Sequence, residues 1–231
     1  MFPEIQGNCD KHSFFRLLPA YVLVFEDRDG DPCAVSSTTE QDRAITCFLS
    51  PFDAVIEAGL RTALGQRCQL FHASLLDGNL FRDADGAGFI ADIHLGWPAR
   101  DGCLLQAARG AVGRYAREMH HWAGEPEGFE VDAVTFAEFS KLHERAGLFA
   151  WQETNAEVLH WTDARLRGAE KRAVETIAFA QGGIADCNQI ALFDPEFGQW
   201  HFVPIPSQLD IGGQPNNQSS LDSGIDDETA S

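Results

Sequence analysis

One stretch constrains the fold of this chain more than any other: residues 45–65, ITCFLS followed by PFDAVIEAGLRTALG. A short apolar run hands over to an amphipathic helix across a two-residue junction. Ser50 is placed to cap that helix, its hydroxyl accepting from a first-turn amide that has no carbonyl partner. Pro51 suits the first helical position, where its missing N–H costs nothing and its φ is already helical. Asp53 sets negative charge against the helix's positive end. Phe52, Val55, Ile56, Leu60, Ala63 and Leu64 then recur at three- and four-residue spacing and form one apolar stripe, and Gly65 is expected to close the helix. Val55 and Ile56 are modest helix formers, so packing against a sheet must supply most of the stability.

The rest of the chain supports an α+β fold. Residues 21–25 and 33–36 predict a hairpin across the acidic turn at 27–32. A strand follows at 68–76. A second hairpin pairs 80–82 with 89–95, ended by Trp97-Pro98. Leu105, Ala108, Val112, Tyr115 and Met119 predict a helix over 104–122, against the grain of Gly110 and Gly113. Residues 129–134 read as a short strand, with Thr135 capping a helix to about 150. Thr162 or Asp163 caps another to about 181, stopped by Gly182-Gly183, and residues 189–193 and 199–204 form a last hairpin. The expected fold is a mostly antiparallel sheet of hairpins packed against three to four helices. One domain is expected over residues 1–206, strand-rich over 1–100 and helix-rich over 101–206. Residues 1–19 read as a lead-in whose Phe14, Phe15, Leu17 and Leu18 dock on the core. Residues 207–231 carry no Lys, Arg or aromatic residue and read as a disordered acidic tail.

Charge separates this chain from an average one. Its 17 Lys and Arg stand against 35 Asp and Glu, a formal −18. Five of those acids (Asp210, Asp222, Asp226, Asp227, Glu228) lie in the tail, so −13 stays on residues 1–206. Such a chain repels phosphate backbones and anionic membranes, which argues against nucleic-acid and membrane partners and for a basic protein partner. No run approaches a membrane span, and the first residues lack a signal-peptide pattern. Six cysteines are scattered singly, which suits reduced thiols, so a cytoplasmic location is expected.

The catalytic motifs are incomplete. VLVFEDRDGD resembles the nucleophile loop of haloacid-dehalogenase-like phosphatases. The resemblance implies Asp27 as nucleophile and Asp29 as general acid, both binding magnesium. Glu26 intervenes after the apolar run and Asp31 replaces the family's Thr or Val. The copy at Asp83–Gly86 also reads as a chain reversal, so hairpin turns are the favoured reading. His143-Glu144 opens a zinc-helix signature, but position 147 is Gly. His120-His121 reads as a helix-end pair stabilised by the dipole. His94, His160, His201 and Cys187 are candidates for pairing with an acid or thiol in space, with no local sign of activation. Residues 21–65, with the strand ending Phe48-Leu49-Ser50-Pro51 and Ala54 one turn into the helix, resemble the amino-terminal domain of SseB-like proteins. That resemblance implies a small α+β module and no particular site.

These readings converge on a non-enzymatic acidic binding protein of the immunity, antitoxin or adaptor kind. Trp151, Glu153, Glu157 and Trp161 are its expected partner-binding residues, the two tryptophans flanking a polar loop. No cofactor is expected, and Asp27 and Asp29 are the weak metal candidates. A small hydrolase or metal-dependent phosphatase using that pair is the alternative, and a structural subunit of a larger assembly the third reading.

Overall fold

The computed structural model describes residues 20–27, 29–38, 43–83, 86, 88–121 and 130–205. Its strands are Tyr21–Glu26 (β1), Pro32–Ala34 (β2), Ser36–Thr38 (β3), Arg43–Phe48 (β4), Cys68–His72 (β5), Phe89–Arg100 (β6), Cys103–Gln106 (β7), Tyr115–His121 (β8), Ala178–Gln181 (β9), Gln189–Asp194 (β10) and Gln199–Pro204 (β11). Its helices are Pro51–Ala63 (α1), Ala133–Arg145 (α2), Trp151–Val158 (α3) and Asp163–Thr176 (α4). The fold is α+β with a mostly antiparallel sheet, as expected. The lead-in over 1–19 and the tail over 207–231 lie outside the described residues.

The sheet runs β11-β10-β6-β4-β1-β2, with β3 on β4, β5 on β1, β8 on β6, and β7 bridging β6 to β9. Among the described residues only β4–β6 and β7–β9 pair in parallel. Parallel neighbours need a crossover, and α1 with β5 supplies the one from β4 to β6. Ser50 caps α1 as the sequence dictates: Asp53 N donates to its Oγ at 3.2 Å, and Gly65 follows the helix with φ +84°. The stripe of α1 (Phe52, Ile56, Leu60) packs with Trp97 and Ala99 of β6 and with Val158, Trp161 and Ala173 of the later helices and their connection. The opposite face of β6 (Ala91, Ile93, Leu95) packs with Phe139 and Leu142 of α2.

β6 changes which residues face each layer at a bulge between His94 and Gly96. Gly96 holds φ +154°, and a Cβ there would lie 2.5 Å from Ile190 Cγ2, so only glycine allows β10 to approach this closely. The strand therefore does not stop at Trp97-Pro98 but continues to Arg100, where it pairs with β7 and β10.

The expected helix over 104–122 is instead β7, a turn and β8. Tyr115 and Met119 are four residues apart, a spacing that puts two side chains on one face of a helix or of a strand alike. The long β6 decides between them, pairing with β8 from Phe89↔His121 to Gly96↔Tyr115. Gly110, with φ +84°, donates to the Ala107 carbonyl in the turn, a backbone that a helix interior excludes. His120 and His121 are thus strand residues, and the helix-dipole reading of them is lost. His120 Nε2 lies 2.5 Å from Glu118 Oε1.

Further boundaries move, among them the helix expected to about 150, which ends at Arg145. Residues 130–132 are not a strand; Asp132 caps α2, accepting from Thr135 N at 2.7 Å, while the Thr135 hydroxyl donates to its second oxygen. Residues 68–76 divide into β5 and a 3-10 turn at Ala73–Leu75, and 80–82 give a 3-10 turn with one bridge, Arg82↔Phe89. The helix capped by Thr162 ends at Thr176, because 178–181 are taken as β9 beside β7.

A candidate binding site at the start of α1

β4 delivers the chain to Ser50 at an end of the sheet, and three other segments meet α1 there: the α2–α3 connection, the first turns of α3, and the β10–β11 turn. They enclose a chamber of about 120 Å³ lined by Ser50, Asp53, His143, residues 147–151, Thr154, Asn155 and residues 193–197. A neighbouring groove of about 350 Å³ is lined by Tyr21, Leu49, Pro51, Phe136, Trp151, Gln152, Asn155, Ala156 and Leu159. Trp151 and Asn155 line both, so a polar chamber and an apolar groove share one wall.

Asp53 is the central group. It is 4% exposed, and its Oδ2 is buried with no hydrogen-bond partner among the described residues. Burial raises its carboxyl to about pKa 7, against the opposing effect of the Ser50 hydroxyl. The α1 dipole favours the ionised form, so helix and burial pull this acid in opposite directions. His143 reaches the chamber from the last turns of α2. Its Nδ1 lies 2.9 Å from the Phe139 carbonyl, which can only accept, so Nδ1 carries the proton and Nε2 is the acceptor. Burial lowers this imidazole to about pKa 4, and the ring is neutral at physiological pH.

The β10–β11 turn adds Asp194 and Glu196. Asp194 Oδ1 accepts from Glu196 N and Phe197 N at 2.9 and 3.1 Å, which fixes the turn. Among the described residues no Lys or Arg lines the chamber. Phe149, 77% exposed, and Phe197, 69% exposed, also line it and reach solvent. The arrangement is rich in acceptors and aromatic faces and suits a cationic or donor-rich group.

The residues expected from sequence lie in different surroundings. Residues 152–158 belong to α3 rather than to a polar loop. Trp151 packs edge-on against Phe139, 5.0 Å between ring centres, and forms the shared wall. Glu153 and Glu157 are exposed on α3, which carries no Lys or Arg. Trp161 is 9% exposed and sits in the α1 core, with the Arg165 guanidinium 3.7 Å above its ring. The two tryptophans therefore join different clusters.

Asp27 sits at the β1–β2 turn, where its Oδ1 accepts from Asp29 N and Asp31 N at 2.9 and 3.0 Å. Those backbone amides hold its carboxyl below the usual range. Among the described residues no group of three or more His, Cys, Asp or Glu is arranged to hold a metal, and no helix is long and apolar enough to cross a membrane.

The remaining candidates are dispersed. His94 is fully buried between Phe48 and Trp97, its ring nitrogens without partners among the described residues, and burial holds it well below its ordinary pKa. His160 is exposed. His201 Nε2 lies 3.9 Å from Asp194 Oδ2, and the Cys187 thiol donates to its neighbouring Gln189 carbonyl. Comparison of the chain with protein-family models, curated proteins and solved structures finds no match in any of the three.

Asp53 and His143 were not legible as site residues. Asp53 read as a routine first-turn acid, and burial of such an acid is a tertiary fact. Phe197 gave a fainter signal, an aromatic inside the expected turn at 194–198, whereas Phe149 fell within the helix expected to about 150 and gave none.

Proposed function

We propose that this chain is a binding protein for a basic segment of a protein partner, the kind of role filled by an immunity, antitoxin or adaptor protein. One observation carries the reading: an apolar groove and an acid-lined chamber share a wall, and two exposed phenylalanines line the chamber beside them. Exposed aromatics beside a pocket are the usual anchors of an interface. The formal charge of −18 and the acidic α3 add long-range attraction for a basic partner. The test is titration with two peptides of equal length and apolar content, one Lys- and Arg-rich and one Glu-rich. The basic peptide should bind, its affinity falling steeply between low and physiological salt, and Phe149→Ala with Phe197→Ala should weaken it by about tenfold or more. Equal binding of the two peptides, or no dependence on salt, overturns the reading.

A second reading has a specific observation behind it. Asp53 and His143 line one chamber with pKa values displaced toward each other's usual range, about 7 and about 4, a pattern associated with acid–base chemistry. A hydrolase using this pair has both groups on one chamber, whereas of Asp27 and Asp29 only Asp27 borders a groove and its Oδ1 holds its own turn. Hydrolysis of simple esters or phosphate esters that disappears in Asp53→Asn would favour it.

A further inference from the structure

The binding reading leaves open what enters the chamber, and the atoms there are specific about it. Asp53 Oδ2 is buried and lacks a donor among the described residues, as do Glu57 Oε2 and Asp83 Oδ1, although the large majority of buried side-chain polar atoms have a partner; of the three, Asp53 is the one that lines this chamber. The space beside it is about 120 Å³, room for a group of a few heavy atoms. The other polar groups facing it are mainly acceptors: Glu196 from the β10–β11 turn, Asp194 of the same turn with Oδ1 taken by its own amides and Oδ2 3.9 Å from His201 Nε2, and the neutral imidazole of His143 from α2. α3 contributes Thr154 and Asn155 and no titratable side chain. Glu57, one turn along α1, is held by Arg61 and Arg114 at 2.8 and 3.1 Å, so those cations are already engaged. The first turns of α1 and α3 each bring roughly half a positive charge toward the chamber, against three carboxyl groups, leaving a negative balance of about one to two charges. Trp151, Phe193 and Phe197 supply ring surfaces.

We propose that the chamber beside Asp53 binds the end group of a cationic side chain, a primary ammonium or a guanidinium, with Asp53 Oδ2 as its acceptor and counter-ion. The proposal rests on the basic-partner reading and deepens it: the cation enters the chamber while a neighbouring apolar residue of the same segment takes the groove beyond Trp151. Because the cation needs Asp53 ionised, binding expels a proton. Affinity rises by up to about tenfold per pH unit as pH approaches 7, and levels off above it.

The experiment titrates the full chain with methylguanidinium chloride, with methylammonium chloride and with methylurea, the neutral isostere of the first, following the Asp53 carboxyl carbon and the Trp151 indole by NMR. The two cations separate guanidinium from ammonium recognition. At least one should shift both signals saturably, and methylurea should not. Asp53→Asn should weaken the cation by about tenfold or more, Glu196→Gln by less, and Asp27→Asn, which removes a carboxylate from a different turn, should leave it unchanged. Asn is neutral and isosteric, and Glu196 is exposed, so both variants are expected to fold. No saturable shift at Asp53, equal binding of methylurea, or an unchanged affinity in Asp53→Asn overturns the assignment. If the basic peptide binds wild type and Asp53→Asn equally well, the partner reading stands and this site is lost. If the small cations bind but the peptide does not, the site stands and the partner reading is lost.

Discussion

Asp27 and Asp53 are the same residue placed in opposite surroundings, and the contrast shows which acids of this chain are available for binding. Asp27 lies half-buried at a turn bordering an open groove, and its Oδ1 accepts two backbone N–H groups of its own turn. Its pKa is lowered by those bonds, and they leave this oxygen committed to holding the chain in a reversal. Asp53 sits under the β10–β11 turn with one oxygen unpartnered, and burial raises it to about 7. The first acid stabilises local structure and the second keeps unspent interaction energy. The motif-like D-x-D-G loop is therefore the conformational device, although Asp27 also borders an open groove of about 900 Å³, while the acid with no motif around it is the one with a buried, unpartnered oxygen.

The largest expected effect concerns stability against pH. Asp53 keeps its proton to about pH 7 when folded and loses it near the ordinary carboxylate value when unfolded. Its contribution is therefore present below about pH 4 and lost as pH rises toward 7, by at most about 4 kcal/mol. Asp53→Asn should be more stable than wild type at pH 8, by about 2 kcal/mol once the helix dipole is allowed for, and no more stable at pH 4. Urea unfolding at the two pH values measures this, and an equal difference at both would break the contrast with Asp27.

His143 runs the other way. The unfolded chain takes its proton near the ordinary imidazole value and the folded chain only near 4, so stability falls as pH drops through that window, by at most about 3 kcal/mol. His143→Leu should remove this acid lability, leaving Asp53's profile exposed between pH 4 and 6.5. A smaller effect belongs to the cap: Ser50→Ala should cost about 1 kcal/mol and move the Asp53 titration further up, since the hydroxyl now lowers it. Carbon-detected titration of Asp53 checks the second part. Smallest is Asp27→Asn, expected to leave the pH profile of stability near neutrality unchanged while loosening the β1–β2 turn, seen as faster amide exchange at Asp29 and Asp31. A marked fall in stability at pH 7 would mean this turn does more than reverse the chain.

Helix α1 was legible in sequence to within a residue, because Ser50, Pro51, Asp53 and Gly65 act on their own neighbours and the stripe from Phe52 to Leu64 repeats at the helical period. The first and last hairpins were legible for the same reason, turn chemistry between two β-rich runs. Residues 104–122 were not, since four-residue spacing serves helix and strand alike and the long β6 chose between them. Residues 152–155 carry no apolar side chain and read as a polar loop, yet α3 forms where Trp151 and Val158 find cores to join.

Sequence by itself determined α1, the first and last hairpins, the α+β class and the sign of the charge, all set by interactions within a few residues or by composition. Tertiary structure alone decided which acid is buried, which tryptophan walls a cavity and which phenylalanines face water. Those outcomes depend on desolvation and contact between segments about 90 to 140 residues apart, from Asp53 to His143 and Asp194, and no short-range pattern encodes them.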